Sequence, residues 1–314
     1  MFTKILCIVA MTVSMAATAH AAALRTFVSG FGDDTNTSTN CSHAAPCRTL
    51  AMAVTVTSPG GEIEALDPAG YGPVTIDRAL TIVGLPGAAV NAPAGGNGIT
   101  INAPITAAVT LSGLLIDGGG VGYNGIVFTS GGNLTVTNCL LQSFHNAGNN
   151  PNTGNAILLQ PTTGIVNIAV TYTTVANSWY GIFYAPPSGS PTVNAVVDHV
   201  TATTNQYGII FNSQSLTGGS TEVAITNGVA SNNGLVGVSI TSTTSLVKAA
   251  VDNMTINGNP FGIVANQTAA IYLGRSVIMG NGTAIQNTGT IYSYKNNQSD
   301  ASIGTLVNTS IGLQ

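Results

Sequence analysis

The chain has 314 residues, of which only 6% are charged, and its formal net charge at pH 7 is −4. A weakly acidic chain without a basic cluster argues against nucleic acid as a partner. Hydrophobic residues make up 44% of the sequence, which argues against disorder and for a large ordered structure with a neutral polar surface.

The first 21 residues have the pattern of a secretory signal peptide. Lys4 precedes an apolar run from Ile5 to Ala17, and Ala19 and Ala21 supply the small residues of a cleavage site. A membrane anchor is the alternative, but the run is shorter than the roughly 20 apolar residues that span a bilayer. We therefore predict a protein without a membrane span that is secreted or periplasmic after cleavage near Ala21.

Residues 22–59 are predicted to form an N-terminal cap that includes a short helix from Leu50 to Val56. Cys41 and Cys47 lie close together in the sequence, and export favours a disulfide between them. Two free thiols or a metal site are the alternatives, although two cysteines supply too few well-spaced ligands for a metal.

Within this cap, oxygen-bearing side chains occupy alternate positions, including Asp34, Asn36 and Ser38. This spacing follows part of the calcium-loop pattern, but Thr39 and Ala45 stand where that pattern requires Gly and Glu. A polar cap loop is the favoured interpretation. We predict no cofactor, with Ca²⁺ bound to these three residues as the alternative.

A phrase of Gly followed by alternating apolar residues recurs along residues 60–295. Its first apolar residues are 22 to 31 residues apart, and they are Val74, Ile99, Ile126, Ile157, Ile182, Ile209, Val238, Ile263 and Ile285. This period indicates a stacked solenoid. Two further short alternating runs follow each phrase, so we predict an all-β parallel β-helix of about nine coils with three short strands each.

One column of residues follows the second strand of each coil, at a bend. It contains Asn138, Asn227 and Asn253, and equivalent residues in stacked coils lie about 4.8 Å apart. Asn adopts left-handed backbone angles readily, and its amide can bond to neighbours in the stack, so we predict a structural column. His199 occupies the same column, where a substituted turn residue is favoured over a catalytic base.

The Asn-x-x-Gly phrases at residues 205–208 and 259–262, together with the segment from Gly60 to Asp77, resemble the right-handed parallel β-helix, or pectin-lyase-like, superfamily. The segments that begin at Arg25 and Cys41 resemble the start of exported members of unassigned function. The resemblance implies the fold without an activity, because the superfamily contains lyases, hydrolases, esterases and adhesins. Residues 296–314 are predicted to form a C-terminal cap or tail.

The resemblance implies that a member that cleaves acidic polysaccharides would have clustered carboxylates beside Arg or Lys, whereas the acidic residues of this chain are scattered. Asp198 and Asp252 share a column two coils apart, about 9.6 Å from strand spacing, which suits an inverting pair in principle. Together with His199 they are the candidate catalytic residues. Solvated surface carboxylates are the favoured interpretation.

The outward residues of the first strands are unexpectedly apolar. They form a stripe about 24 Å long from strand spacing, and Trp179 and Tyr180 add aromatic area beside it. Because exposed apolar patches usually mark interfaces, we predict that the stripe binds a partner unless loops of the chain or a second copy cover it. The stripe consists of Val127, Leu158, Phe183, Ile210 and Val264.

These observations favour a non-catalytic module that binds a polysaccharide or a protein surface, with self-association as a further use of the stripe. A polysaccharide lyase or glycoside hydrolase with an atypical site is the alternative. A structural role in an extracellular assembly is the second alternative. Cys139 is expected to be a buried thiol or a link between two chains.

Overall fold

The computed structural model describes residues 22–300 and the backbone of residues 309–310, so the predicted signal peptide lies outside the described residues. Parallel strands coil into three sheets within this part of the chain. The predicted all-β parallel β-helix is therefore confirmed.

The first apolar residues of the repeated phrase lie on successive strands of one sheet of nine strands, which we call the anchor sheet. Val74 pairs with Ile99, and the same register continues from coil to coil as far as Ile285. This agrees closely with the predicted number of coils. Its strands are Val74–Ile76, Asn97–Asn102, Asn124–Ser130, Asn155–Leu159, Tyr180–Tyr184, Tyr207–Asn212, Val236–Ser242, Phe261–Gln267 and Thr283–Asn287.

The second run of each coil forms the long sheet, in which twelve strands are described. These strands are Ala23–Val28, Thr57–Ala65, Leu80–Val83, Ala108–Ser112, Asn133–Thr137, Ile165–Thr171, Thr192–Asp198, Ser220–Thr226, Leu246–Asp252, Ala270–Gly274, Thr290–Ser293 and Thr309–Ser310.

The third run forms a sheet of nine described short strands, which we call the short sheet. These strands are Ala89–Asn91, Leu115–Asp117, Leu140–Gln142, Thr174–Ala176, Thr201–Thr203, Val229–Ser231, Thr255–Asn257, Val277–Met279 and Gln298–Ser299.

One hydrophobic core runs through the coils, because each sheet turns alternate apolar side chains inward. Ile126 of the anchor sheet, Val136 of the long sheet and Leu141 of the short sheet are all fully buried members of it. Burial of this apolar surface is the main force that holds the coils together.

The bend between the long sheet and the short sheet is made by one residue with a positive φ in seven successive coils. Asn227 Nδ2 donates to Asp198 Oδ1 at 2.7 Å, and Asn253 Nδ2 donates to Asn227 Oδ1 at 2.7 Å. The bend column therefore includes the predicted asparagines, and its residues are Gly113, Asn138, Tyr172, His199, Asn227, Asn253 and Arg275.

A second asparagine ladder lies buried where the short sheet leads into the anchor sheet. Asn205, Asn233 and Asn259 follow one another in it, and each backbone N–H bonds to the side-chain oxygen of the next member of the ladder. Each amide NH₂ group also donates to a backbone carbonyl of the preceding coil. The ladder satisfies polar backbone groups that would otherwise be buried without partners.

The predicted disulfide between Cys41 and Cys47 is present, at a Cα separation of 4.9 Å. Residues 34–39 form a 3₁₀-helix, and the predicted α-helix spans Leu50–Val56 with Thr49 as its N-cap. Strand Ala23–Val28 pairs with Thr57–Ala65 and forms the N-terminal edge of the long sheet, where the backbones of Cys41 and Cys47 bond to Phe27.

At the opposite end, two short strands within the predicted tail extend the solenoid. Gln298–Ser299 pairs with Val277–Met279, and Thr309–Ser310 pairs with Thr290–Ser293. Among the helices of the described residues, none is long and apolar enough to cross a membrane.

Candidate functional site

An open groove of about 610 Å³ runs across the outer face of the long sheet. It crosses the strands from Asn133–Thr137 to Ala270–Gly274, which is five inter-strand steps or about 24 Å. Two columns of outward side chains form its floor and one of its sides, because alternate residues of each strand point away from the core.

The floor of the groove consists of small or apolar residues in register from strand to strand. Val196 is the largest of them near the middle, and its side chain is 43% exposed. The floor ends at the ring of Tyr272. The floor column is Thr135, Ala169, Val196, Ala224 and Ala250.

An amide ladder forms one side of the groove. Asn167 Nδ2 donates to Asn133 Oδ1 at 2.9 Å, and Asn194 Nδ2 donates to Asn167 Oδ1 at 3.1 Å. The same column continues with Glu222 and Lys248, whose charged atoms are 3.6 Å apart. Since each ladder amide offers two N–H groups and two lone pairs, this side can still bond to a ligand.

A third outward column lies beside the floor, away from the amide ladder, and it contains Asp198, which is held by three neighbours. Its Oδ1 accepts hydrogen bonds from Thr226 Oγ1 at 2.6 Å and from Asn227 Nδ2 at 2.7 Å, while its Oδ2 is 2.7 Å from His199 Nδ1. The Thr226 hydroxyl, and then His199 and Asn227, lower the pKa of Asp198 to about 2. A carboxylate with this pKa stays ionised near neutral pH and is a poor general acid.

Asp252 lies two strands beyond Asp198 in the same column, as the sequence predicted, but it has a partner of its own. Its carboxylate accepts from Arg275 Nε at 3.0 Å and makes a second, shorter contact with the same guanidinium. The structure thus places the two candidate carboxylates in register while each is bound to a different side chain.

His199, the third catalytic candidate, sits at the bend with φ 52°. Its ring stacks on Tyr172 with a centroid separation of 4.6 Å, and its Nδ1 faces Asp198. This arrangement fits the predicted role of a substituted turn residue, and it leaves the His199 imidazole oriented by Asp198.

The sequence left open what covers the apolar stripe of the anchor sheet. The stripe residues do point away from the core, yet the chain's own side chains cover them. Tyr180, Tyr207, Leu235 and Phe261 pack against the stripe. The stripe residues are between 2% and 7% exposed, and their role in binding stays a prediction; they are Val127, Leu158, Phe183, Ile210 and Val264.

An aromatic cluster accounts for much of this cover. Tyr180 stacks on Phe183 at a centroid separation of 4.1 Å and on Tyr207 at 4.7 Å. Trp179 lies tilted against Tyr207 at 6.1 Å. Only Trp179 and Tyr180 among the predicted binding residues remain partly exposed, so their role in binding stays a prediction.

The three candidate calcium ligands in the cap make hydrogen bonds within the chain. Asp34 Oδ1 accepts from the backbone N–H groups of Arg48 and Thr49, both at 2.9 Å. Asn36 Nδ2 donates to the carbonyl of Pro46, and Ser38 Oγ donates to a carbonyl three residues before it. Calcium binding there stays a prediction.

No group of three or more His, Cys, Asp or Glu residues in the described part of the chain could hold a metal ion. Cys139 is a buried free thiol, and burial raises its pKa to about 11.

Sequence reasoning did not identify the groove. A signal was available, because Asn133, Asn167 and Asn194 each occupy the outward position just before an inward apolar residue of the long sheet. Single sequence positions did not reveal this column, since the register between coils was needed to align them.

Comparison with solved structures identifies related folds. The structure of the pectate lyase Pel9A matches this chain with a TM-score of 0.56 and 14% sequence identity. The match covers 92% of this chain and 78% of the Pel9A chain. The A-modules of the Azotobacter vinelandii mannuronan C-5 epimerases AlgE6 and AlgE4 match 81% and 82% of this chain and 88% of each module, with identities of 13% and 14% and TM-scores of 0.44.

At this level of identity, the similarity to the pectate lyase shows a shared β-helix fold and nothing about activity. No protein-family model and no curated protein matches the sequence. The chemistry of the groove itself must therefore support any statement about function.

Proposed function

We propose that the protein is a non-catalytic module that holds a neutral polysaccharide along the groove of the long sheet. The observation that carries this proposal is the combination of a small apolar floor with an amide ladder beside it. Lys248 beside the groove and Arg275 beyond its end are meanwhile each paired with a carboxylate.

The floor and the ladder match the two kinds of surface on a sugar ring. A pyranose has apolar C–H faces and a rim of hydroxyl groups. Val196 and its small neighbours offer a flat apolar surface for a ring face, and the Asn133 and Asn167 amides offer donors and acceptors for the rim. Pockets that bind small molecules commonly combine apolar surface with a few fixed polar groups in this way.

The charges around the groove favour an uncharged ligand. Glu222 is paired with Lys248, Asp198 with His199, and Asp252 with Arg275. A polyanion such as a polyuronate gains most from cations that are not already neutralised, because uncompensated charge creates the attractive field. Because Lys248 and Arg275 are both already neutralised by carboxylates, they give no such field.

The Cys41–Cys47 disulfide supports a secreted or periplasmic location, since disulfides persist in oxidising compartments. A polysaccharide would be encountered there. The pectate lyase that shares the fold acts on a polysaccharide according to its name, but its identity of 14% is too low to transfer that activity.

Binding can be tested with a matched pair of groove variants. Val196→Arg places a long charged side chain on the floor, whereas Ile165→Arg adds the same charge at an exposed position of the same sheet outside the groove. Affinity electrophoresis would compare glucomannan and laminarin with polygalacturonate and alginate. We expect the wild type and Ile165→Arg to bind a neutral polysaccharide, and Val196→Arg to lose about tenfold or more in affinity.

The proposal fails if the wild type binds neither neutral polysaccharide, or if Val196→Arg binds as well as the control. Catalysis is tested separately by incubating the same four polysaccharides with the protein, with and without Ca²⁺. We expect no release of unsaturated or reducing ends. Turnover that disappears in Asp198→Asn would replace the binding proposal with an enzymatic one.

A further inference from the structure

A second pocket, of about 440 Å³, adjoins the C-terminal end of the groove, and we call it the end pocket. Ala250 and Tyr272 line both the groove and the end pocket, so the two spaces are continuous. A linear polymer that follows the groove across successive coils would therefore lead into this pocket.

Two tyrosines form apolar walls of the end pocket. The ring of Tyr272 is fixed by stacking on Tyr292, at a centroid separation of 4.9 Å and an interplanar angle of 17°. Tyr294 lies beside Gly274, where an added Cβ would be 3.3 Å from the Tyr294 ring and 2.9 Å from Asp252 Oδ1. The pocket therefore depends on the missing side chain of Gly274.

The polar wall of the end pocket is the fork formed by Asp252 and Arg275. Both side chains are partly exposed, and the guanidinium contacts both oxygens of the carboxylate. Asn296 Oδ1 accepts from the Arg275 backbone N–H at 2.9 Å and fixes the bend. Because each carboxylate oxygen has two lone pairs and the guanidinium has five N–H groups, the fork presents an acceptor next to a donor.

We infer that the end pocket holds one sugar ring of the neutral polysaccharide and selects a ring with two adjacent hydroxyl groups. One hydroxyl donates to Asp252 while its neighbour accepts from Arg275, and the ring face packs against the tyrosines. This inference rests on the proposed function of the groove and adds the class of ligand to it. Charge-assisted hydrogen bonds of this kind are stronger than neutral ones.

The inference predicts a preference for linkage. Internal residues of a β-1,4-linked glucan or mannan keep adjacent hydroxyls at C2 and C3. Internal residues of a β-1,3-linked glucan have none, because the C3 oxygen is part of the linkage. Glucomannan should therefore bind more tightly than laminarin.

Arg275→Asn is the most informative variant, because the bend column already contains Asn at equivalent positions with the same positive φ. The variant removes the guanidinium without disturbing the backbone. Tyr172→Asn is the matched control, since it makes the same change in the same column away from the end pocket. Gly274→Ala is a second test of the pocket, because the added Cβ would occupy the space between Asp252 and Tyr294.

Isothermal titration calorimetry would measure the affinities of the wild type and the three variants for glucomannan and laminarin. We expect the wild type and Tyr172→Asn to prefer glucomannan by about tenfold, and Arg275→Asn and Gly274→Ala to lose that preference while they keep laminarin binding. Equal affinities in the wild type, or a preference that survives in Arg275→Asn, would overturn the inference but leave the groove proposal standing. Failure of the wild type to bind either polymer would overturn both.

Discussion

Replacing Asn233 by Ala tests whether the buried asparagine ladder holds the coils together. The Asn233 side chain is 1% exposed. Its Oδ1 accepts from the Asn205 backbone N–H at 3.1 Å, and its Nδ2 donates to the Ala202 carbonyl at 3.2 Å and to Asn259 Oδ1 at 3.0 Å. Ala cannot make any of these bonds, and water cannot readily reach the site.

The expected cost follows from the groups that lose a partner. The Asn205 N–H and the Ala202 carbonyl are both in the interior, and each buried polar group left without its partner costs about 1–3 kcal/mol. The variant should therefore lose about 4 kcal/mol of unfolding free energy. Asn227→Gly removes an exposed ladder amide, and Gly adopts the positive φ of 53° there without strain, so it should cost only about 1 kcal/mol.

Equilibrium urea unfolding, followed by far-ultraviolet circular dichroism, would give the two free energies. Comparing the unfolding free energies of the two variants separates the effect of burial from the general effect of deleting an amide side chain. If Asn233→Ala proves no more destabilising than Asn227→Gly, the buried ladder does not contribute more than the exposed one and our reasoning is wrong.

Phe183→Ser should lower the unfolding free energy by about 3–5 kcal/mol, because the ring is buried against Tyr180, and unchanged stability in urea would contradict the covered stripe. The pKa of Asp198, about 2, is below its ordinary value of about 3.9, so the ionised form favours folding. The wild type should lose this contribution as pH falls from about 4 to about 2, Asp198→Asn should lack it, and parallel melting curves would refute the assignment. Since burial raises the pKa of Cys139 to about 11, the native thiol should react with a disulfide reagent at least about 100-fold more slowly than free cysteine, with Cys139→Ser as the blank.

The solenoid and the Leu50–Val56 helix follow from local sequence patterns. Alternation around Ile126 or Ile209 identifies a strand and its inward face, and the recurrence of Gly before six of the nine anchors aligns one coil with the next. Thr49 caps the short helix through its hydroxyl. These features could be predicted because each depends on residues close together in the chain.

Exposure of the outward face could not be predicted in the same way. Alternation places Phe183 outside the core, but it does not reveal that Tyr180 and its neighbours cover the ring. Their stacking depends on side-chain conformations and on contacts between coils. For the same reason, the Asn-x-x-Gly phrase that includes Asn205 indicated a turn without indicating that the asparagine is buried.

The groove depends on still more distant relations. Asn133, Asn167 and Asn194 are each about one coil apart, and they become a ladder only through the strand register. Insertions between coils alter the sequence spacing, so a fixed period does not bring these residues into alignment. A search for outward columns after the anchors have been aligned would have found them.

Three residues of the bend column depart from asparagine and glycine. Stacking favours Asn or Gly at a positive φ, and other residues there cost of order 1–3 kcal/mol each. Tyr172, His199 and Arg275 nevertheless occupy this conformation with exposed side chains. Side-chain partners offset part of this cost, because the Tyr172 ring stacks on the His199 ring at 4.6 Å and the Arg275 guanidinium pairs with the Asp252 carboxylate. The column therefore accepts a residue other than Asn or Gly where its side chain has a partner in a neighbouring coil.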